Sequence, residues 1–162
     1  MIKSFPLREG FKKMTQHLTS FQEPILNKLK SHAHQILGLV WEKTEGDHPV
    51  QIWQKQDRIE MRFGNRVVQS SYLRDDPHQL LLSYTRYMML CLLLVPEPRK
   101  ALHFGLGGGT LPNFLQPLFP ELIQTVVEVN EAVLEAASLF FDFEEDERTK
   151  VIIADASDAD KQ

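Results

Sequence analysis

At residues 100–110 the sequence reads KALHFGLGGGT: a short apolar run, a turn with four glycines and the start of a predicted helix. A strand that ends in such a turn brings backbone N–H groups and a helix N-terminus to one point, which suits a nucleotide or an adenosyl cofactor. Glycine also lets a ligand approach the backbone closely. The turn alone is weak support for a site, because glycine-rich turns also arise for purely structural reasons.

The segment after this turn alternates between helix and strand patterns. It predicts a helix up to residue 118, a strand at 122–129, a helix at 131–141 and a strand at 150–154. Strands that are separated by helices pair in parallel through crossover connections. The second half of the chain is therefore predicted to be an α/β domain with a parallel sheet.

The segment before the glycine turn has a different pattern. Apolar and polar residues alternate there in short runs. These runs predict strands near 36–41, 50–54, 58–63 and 66–69. The dipeptide Gly64-Asn65 separates the last two runs and is typical of a tight hairpin. Residues 34–70 thus predict a small antiparallel sheet.

The two sheets are joined by an apolar segment. Asp76 before Pro77 is typical of a helix start, and the pattern predicts a helix at 78–95 that ends before Pro96 and Pro98. Its apolar run is shorter than the ~20 residues that a spanning helix needs, and it contains Arg86. We therefore interpret it as a buried helix rather than as a membrane span.

Apolar residues at roughly helical spacing also mark the first 30 residues. This amphipathic arm either docks on a partner or packs on the domain, and we favour packing. Four segments are thus predicted: a helical arm at 1–33, a small antiparallel β domain at 34–72, a connecting helix and proline linker at 75–98, and a partial cofactor-binding domain at 99–162.

Composition narrows the function classes. The formal charge of −4 over 162 residues gives no reason to expect a nucleic-acid partner. Cys91 is the single cysteine and has apolar neighbours, which predicts a buried thiol, no internal disulfide and a cytoplasmic protein. The scattered histidines lack partners at ligand spacing, so we expect no metal. His103 is interpreted as a hydrogen-bonded core residue.

Two carboxylates fall at predicted strand ends. Glu128 ends the second parallel strand, where an acidic side chain can accept hydrogen bonds from ribose hydroxyls, and we favour this role over that of a solvated loop carboxylate. Asp155 ends the third strand, where it can accept from an adenine amino group. With the glycine turn, the two residues predict a three-point adenosine site. No nucleophile with an adjacent base is recognisable, so the catalytic residues stay unknown.

These features resemble the spermidine synthase family of polyamine aminopropyltransferases, specifically its divergent spermidine synthase-like group. The resemblance rests on Gln69-Ser70-Ser71, residues 80–89, residues 101–112 with the glycine turn, Val127-Glu128-Val129 and Ala154-Asp155-Ala156. It implies a small N-terminal antiparallel β domain followed by the first half of a Rossmann-like S-adenosylmethionine-dependent methyltransferase fold. It also implies decarboxylated S-adenosylmethionine as cofactor, an aminopropyl group transferred to an amine, and methylthioadenosine as product.

By the same resemblance, the glycine turn holds the methionine-derived part of the cofactor. Glu128 then contacts the ribose, Asp155 and Ala156 the adenine, and Gln69 reaches in from the β domain. The cofactor-binding set that this implies is Gln69, Gly105, Leu106, Gly107, Gly108, Gly109, Glu128, Asp155 and Ala156. A glycine stands where the family's turn contains an aspartate, which leaves the recognition of an amine substrate open.

The sequence ends before the fourth strand of the family's sheet, whose end carries the base that deprotonates the amine. We therefore expect a C-terminally truncated, poorly active transferase whose apolar sheet edge at 101–104 favours a homo-oligomer. One alternative is a noncatalytic interaction or oligomerisation protein of the same fold. Another is a methyltransferase that uses intact S-adenosylmethionine. Neither a membrane nor a nucleic acid is an expected partner.

Overall fold

A computed structural model describes residues 38–46, 48–64 and 67–161. The predicted N-terminal arm lies outside the described residues, as do residues 34–37 of the predicted β domain. From Leu39 onward the chain forms one compact unit. The division into four segments stays a prediction.

The first sheet is antiparallel, as predicted. Its strands are β1 (Leu39–Thr44), β2 (Pro49–Lys55), β3 (Arg58–Phe63) and β4 (Val68–Leu73), which pair in sequence order. The β3–β4 pairing confirms the predicted hairpin. Strand β1 extends further toward the C-terminus than the sequence pattern indicated.

The second sheet is parallel and contains β5 (Lys100–Phe104), β6 (Ile123–Glu128) and β7 (Thr149–Ile153) in that order. Helix α2 (Thr110–Leu118) connects β5 to β6, and helix α3 (Glu131–Phe140) connects β6 to β7. The predicted α/β alternation is confirmed. A short 3-10 helix (Ala156–Lys161) follows β7.

One hydrophobic core joins the two sheets. Ile52 and Met61 of the antiparallel sheet share it with Ala136 of α3. Two aromatic residues that follow α3, Phe141 and Phe143, are fully buried in the same cluster. Tyr72 on β4 contacts Phe141 edge-on, with 5.8 Å between ring centroids. The antiparallel sheet is therefore packed against the α/β layer rather than attached by a linker.

The predicted long helix at 78–95 is wrong. The segment instead contains the short helix α1 (Ser83–Met88) and a 3-10 helix (Met89–Leu93). Asp76 does not cap a helix, because the N-cap position is Leu82, and Asp76 forms an isolated bridge with Leu73. Turn geometry at 74–79 thus delays the start of the helix.

The expected burial of this segment is also wrong. Leu94 is 86% exposed, and Cys91, predicted to be buried, is exposed as well. No other described element packs against this surface closely enough to bury it. Within the described ranges, none of the helices combines the length and the hydropathy that a membrane crossing requires.

Strand β5 lies at the edge of the parallel sheet and pairs only with β6 among the described strands. Its side chains Leu102 and Phe104 are exposed, Phe104 by 65%. The predicted apolar edge at 101–104 is therefore present in the described part of the chain.

Candidate functional site

The site begins at the glycine turn that joins β5 to α2. Gly105 adopts φ +86°, a conformation that L side chains rarely adopt, and no atom lies within 4 Å of where its Cβ would be. Its N–H donates to Val127 O at 2.7 Å, which ties the start of the turn to β6. The turn thus presents a face without side chains toward open space.

The far end of the turn is packed rather than open. A Cβ on Gly108 would lie 2.5 Å from the ring of Phe141, and one on Gly109 would lie 2.6 Å from the ring of Phe143. Any side chain at these two positions would displace a buried aromatic ring. Gly108 and Gly109 are therefore required for packing, whereas Gly105 leaves room for a ligand.

Glu128 ends β6 and lies beneath the turn, only 7% exposed. Its Oε2 accepts from the Leu106 N–H at 2.8 Å, and its Oε1 accepts from the Asn130 N–H at 3.1 Å. Each carboxylate oxygen has a second lone pair and can accept another hydrogen bond. The interpretation of Glu128 as a solvated loop carboxylate is therefore wrong: the side chain is fixed against the glycine turn.

A cavity of about 460 Å³ opens at this point. Of the predicted site residues, it brings together five: Gln69, Gly105, Leu106, Gly107 and Glu128. Aromatic and aliphatic side chains complete much of its wall, among them Phe63, Tyr84, Met88, Leu102, Phe104 and Leu111. The antiparallel sheet, the segment at α1 and the parallel sheet thus all contribute to one concave site.

Asp155 and Ala156 are not among the residues that line this cavity. Both are exposed, and Asp155 Oδ1 accepts from the Ser157 N–H at 2.8 Å. This hydrogen bond lowers the pKa of the Asp155 carboxyl from its ordinary value. Asp155 therefore does not line this cavity, although the preceding Ala154 N–H donates to Glu128 O at 3.0 Å. Its contact with adenine stays a prediction.

His103 on β5 is hydrogen-bonded as predicted, but it is half-buried rather than part of the core. Its Nε2 lies 3.1 Å from Gln124 Oε1, a hydrogen-bonding distance. Burial lowers the pKa of the imidazole, since the charged form loses its hydration. The ring is thus engaged within the sheet through Gln124.

Metal ligands are not assembled here. Among residues 38–46, 48–64 and 67–161, no three His, Cys, Asp or Glu side chains lie close enough together to hold a metal ion.

Ser70 is a site residue that the sequence did not single out. It lines the cavity and its Oγ accepts from the Gly108 N–H at 2.8 Å. A serine within a strand has no characteristic spacing relative to a glycine turn 35 residues or more downstream. The resemblance included Gln69-Ser70-Ser71, but it assigned a role only to Gln69.

Polyamine aminopropyltransferases are among the curated proteins to which the chain is similar. A polyamine aminopropyltransferase of Chromobacterium violaceum is 34% identical over 110 residues, which are 67% of this chain and 42% of that protein. The corresponding protein of Neisseria meningitidis is 35% identical over 100 residues, which are 60% of this chain and 38% of that protein. The chain is a homologue of the polyamine aminopropyltransferases. No family model matches it.

Relatives also include a methyltransferase. The eEF1A lysine and N-terminal methyltransferase of Homo sapiens is 32% identical over 120 residues, 68% of this chain and 17% of that protein. The chain therefore spans less than half the length of the curated aminopropyltransferases it matches, and a still smaller part of this methyltransferase.

Solved structures show the same fold. A probable spermidine synthase of Corynebacterium glutamicum has a TM-score of 0.63 at 17% identity, over 72% of this chain and 45% of that chain. The spermidine synthase of Thermotoga maritima has a TM-score of 0.55 at 21% identity, over 72% of this chain and 41% of that chain. The expected fold, a small antiparallel sheet before a Rossmann-like parallel sheet, is confirmed.

Proposed function

We propose that the cavity at the glycine turn binds an adenosyl sulfonium cofactor, decarboxylated S-adenosylmethionine or S-adenosylmethionine. The observation that carries this proposal is the position of Glu128. Its carboxylate lies in the cavity wall, fixed by the Leu106 N–H at 2.8 Å, and it keeps lone pairs for two ribose hydroxyls. A buried carboxylate held in this way is pre-organised to accept hydrogen bonds from a ligand.

The glycine turn fits the other part of such a ligand. The turn at 105–109 has five N–H groups, and four of them donate to acceptors within the protein. The fifth, the Gly107 N–H, has no acceptor among the described residues. Gly107 lines the cavity, and beside it Gly105 leaves the space of a side chain empty. Gly105 to Gly107 thus offer close backbone contact to the methionine-derived part, with Gln69 approaching from β4.

The reaction that we propose is transfer of an aminopropyl group to an amine, by kinship with the aminopropyltransferases. When bound, a sulfonium nucleoside would supply an electrophilic carbon next to its sulfur. An amine nitrogen would bond to that carbon as the carbon–sulfur bond breaks, methylthioadenosine would leave, and the alkylated nitrogen would release its proton to water. Of the cavity-lining residues, Glu128, His103 and Tyr84 are ionisable, and all three are hydrogen-bonded within the protein. We therefore assign no catalytic base among the described residues.

Methyl transfer is the second candidate. It is favoured by the relationship to the eEF1A lysine and N-terminal methyltransferase, over 68% of this chain. The same adenosyl site serves both reactions, since Glu128 and the glycine turn contact parts that the two cofactors share. The cofactor preference therefore separates the candidates.

A noncatalytic interaction protein, assembled as a homo-oligomer in the cytoplasm, is the third candidate. It draws support from the exposed side chains Leu102, Phe104 and Leu94. Light scattering after size-exclusion chromatography distinguishes it, because a monomer at micromolar concentration would contradict association through this surface.

Calorimetry tests the proposed binding. The full chain is titrated with decarboxylated S-adenosylmethionine, S-adenosylmethionine and 5′-methylthioadenosine, and we expect at least one of them to bind with a measurable heat. Glu128→Gln should weaken that binding roughly tenfold or more, because the amide presents a donor to ribose hydroxyls and N–H groups that need an acceptor. The matched control is Glu121→Gln, since Glu121 is exposed and remote from the cavity lining. Absence of heat with all three nucleosides would overturn the proposal.

A further inference from the structure

Among the described residues, one hydrogen bond from the antiparallel sheet holds the backbone of the glycine turn, and it comes from strand β4. The N–H groups of Gly105, Leu106 and Gly109 bond to acceptors within the α/β part of the chain. The Gly108 N–H instead donates to Ser70 Oγ at 2.8 Å. The conformation of the turn at Gly108 thus depends on a residue of the antiparallel sheet.

The surroundings leave Ser70 no freedom to make a different contact. Its side chain is buried, with 5% exposure, and its Oγ lies 2.6 Å from where a Cβ on Gly107 would be. The Phe141 ring occupies the space beside Gly108. A hydroxyl and an aromatic ring therefore both pack closely against the turn.

Strand β4 is itself anchored at two further points. The Tyr72 hydroxyl donates to the Asp142 carboxylate, just after Phe141. The Tyr84 hydroxyl donates to Gln69 O at 2.8 Å. These contacts on either side of Ser70 fix its position relative to both the turn and the cavity.

We propose that Ser70 is a positioning residue for the ligand site: through the Gly108 N–H it fixes the turn so that Gly105 and Gly107 face the cavity. The antiparallel sheet is on this account part of the binding site and not only a packing layer. The inference rests on the proposed function, since it concerns the same nucleoside ligand.

Ser71 supplies a matched control on the same strand. It is also buried, at 2% exposure, but its Oγ has no hydrogen-bond partner among the described residues. Ser70→Ala and Ser71→Ala therefore remove the same atom from adjacent buried positions, and only the first removes a hydrogen bond to the turn.

The experiment measures the affinity of 5′-methylthioadenosine for the full chain by calorimetry, at a temperature where circular dichroism shows each variant fully folded. We expect Ser70→Ala to weaken binding about tenfold or more and Ser71→Ala to leave it within about twofold. Amide hydrogen exchange at Gly108 should accelerate in Ser70→Ala alone, because its acceptor is lost.

The outcomes separate the two proposals. If the unaltered chain binds no nucleoside, the proposed function falls and this inference falls with it. If the unaltered chain binds and folded Ser70→Ala binds equally well, only the role of Ser70 is overturned. Equal losses in both serine variants would likewise contradict it, because they would reflect packing of β4 rather than the hydrogen bond.

Discussion

Two neighbouring strand ends of the parallel sheet differ sharply in their surroundings. At the end of β6, Glu128 is buried and accepts two backbone hydrogen bonds beneath the glycine turn. At the end of β7, Asp155 is exposed and accepts from the Ser157 N–H in its own turn. A carboxylate at the C-terminal end of a strand is therefore not enclosed by that position alone: at Glu128 the glycine turn adds the enclosure.

The largest effect is expected when the packing behind the glycine turn, beside Glu128 at the end of β6, is removed. Phe141→Ala should destabilise the fold by about 3–5 kcal/mol, because it deletes a fully buried ring that packs against Gly108 and Tyr72. Chemical denaturation measures this change. Leu139→Ala, at an exposed position of α3, should cost less than about 0.5 kcal/mol. A similar loss in both variants would contradict the special position of Phe141.

Protonation of His103, which lies on the neighbouring strand β5, should also destabilise the fold. Burial holds the pKa of its imidazole below the ordinary value in the folded state, so the unfolded chain takes up the proton first. Stability should therefore fall as the pH decreases below about 6.5, by no more than about 1 kcal/mol. His103→Gln should reduce this slope in denaturation midpoints measured from pH 7.5 to 5.5. An unchanged slope would show that the imidazole does not contribute to it.

The smallest effect, on nucleoside affinity, is expected at the exposed Asp155 that follows β7. Asp155→Asn should change the affinity for 5′-methylthioadenosine by less than about threefold, because the exposed side chain lies outside the cavity lining. Calorimetry on this variant, beside Glu128→Gln, gives the comparison directly. A loss at Asp155 as large as that at Glu128 would show that the two strand ends act as one site, as the sequence pattern indicated.

Much of the α/β part was predictable because its signals are local. The apolar run before the glycines, the strand that ends at Glu128 and the alternation of helix and strand all depend on nearby residues. The sequence predicted that Glu128 ends a strand, but it did not predict that the side chain is buried beneath the glycine turn. Its hydrogen bond to the Leu106 N–H joins residues 22 apart in sequence.

The failures have physical causes as well. The apolar run at 80–95 has no polar face to define its helical register, so the sequence could not show that helix α1 begins only at Ser83 or that Leu94 is exposed. Ser70 was missed because its contact with Gly108 depends on how two sheets pack, 38 residues apart in the chain. Such contacts follow from tertiary packing rather than from local spacing.

A crystal structure of the full chain with bound 5′-methylthioadenosine tests the central claim most directly. We expect the ribose hydroxyls to donate to the Glu128 carboxylate and the thioether end to lie against Gly105 and Gly107. A nucleoside bound elsewhere on the chain, or one whose ribose points away from Glu128, would contradict the assignment of this cavity as the adenosyl site.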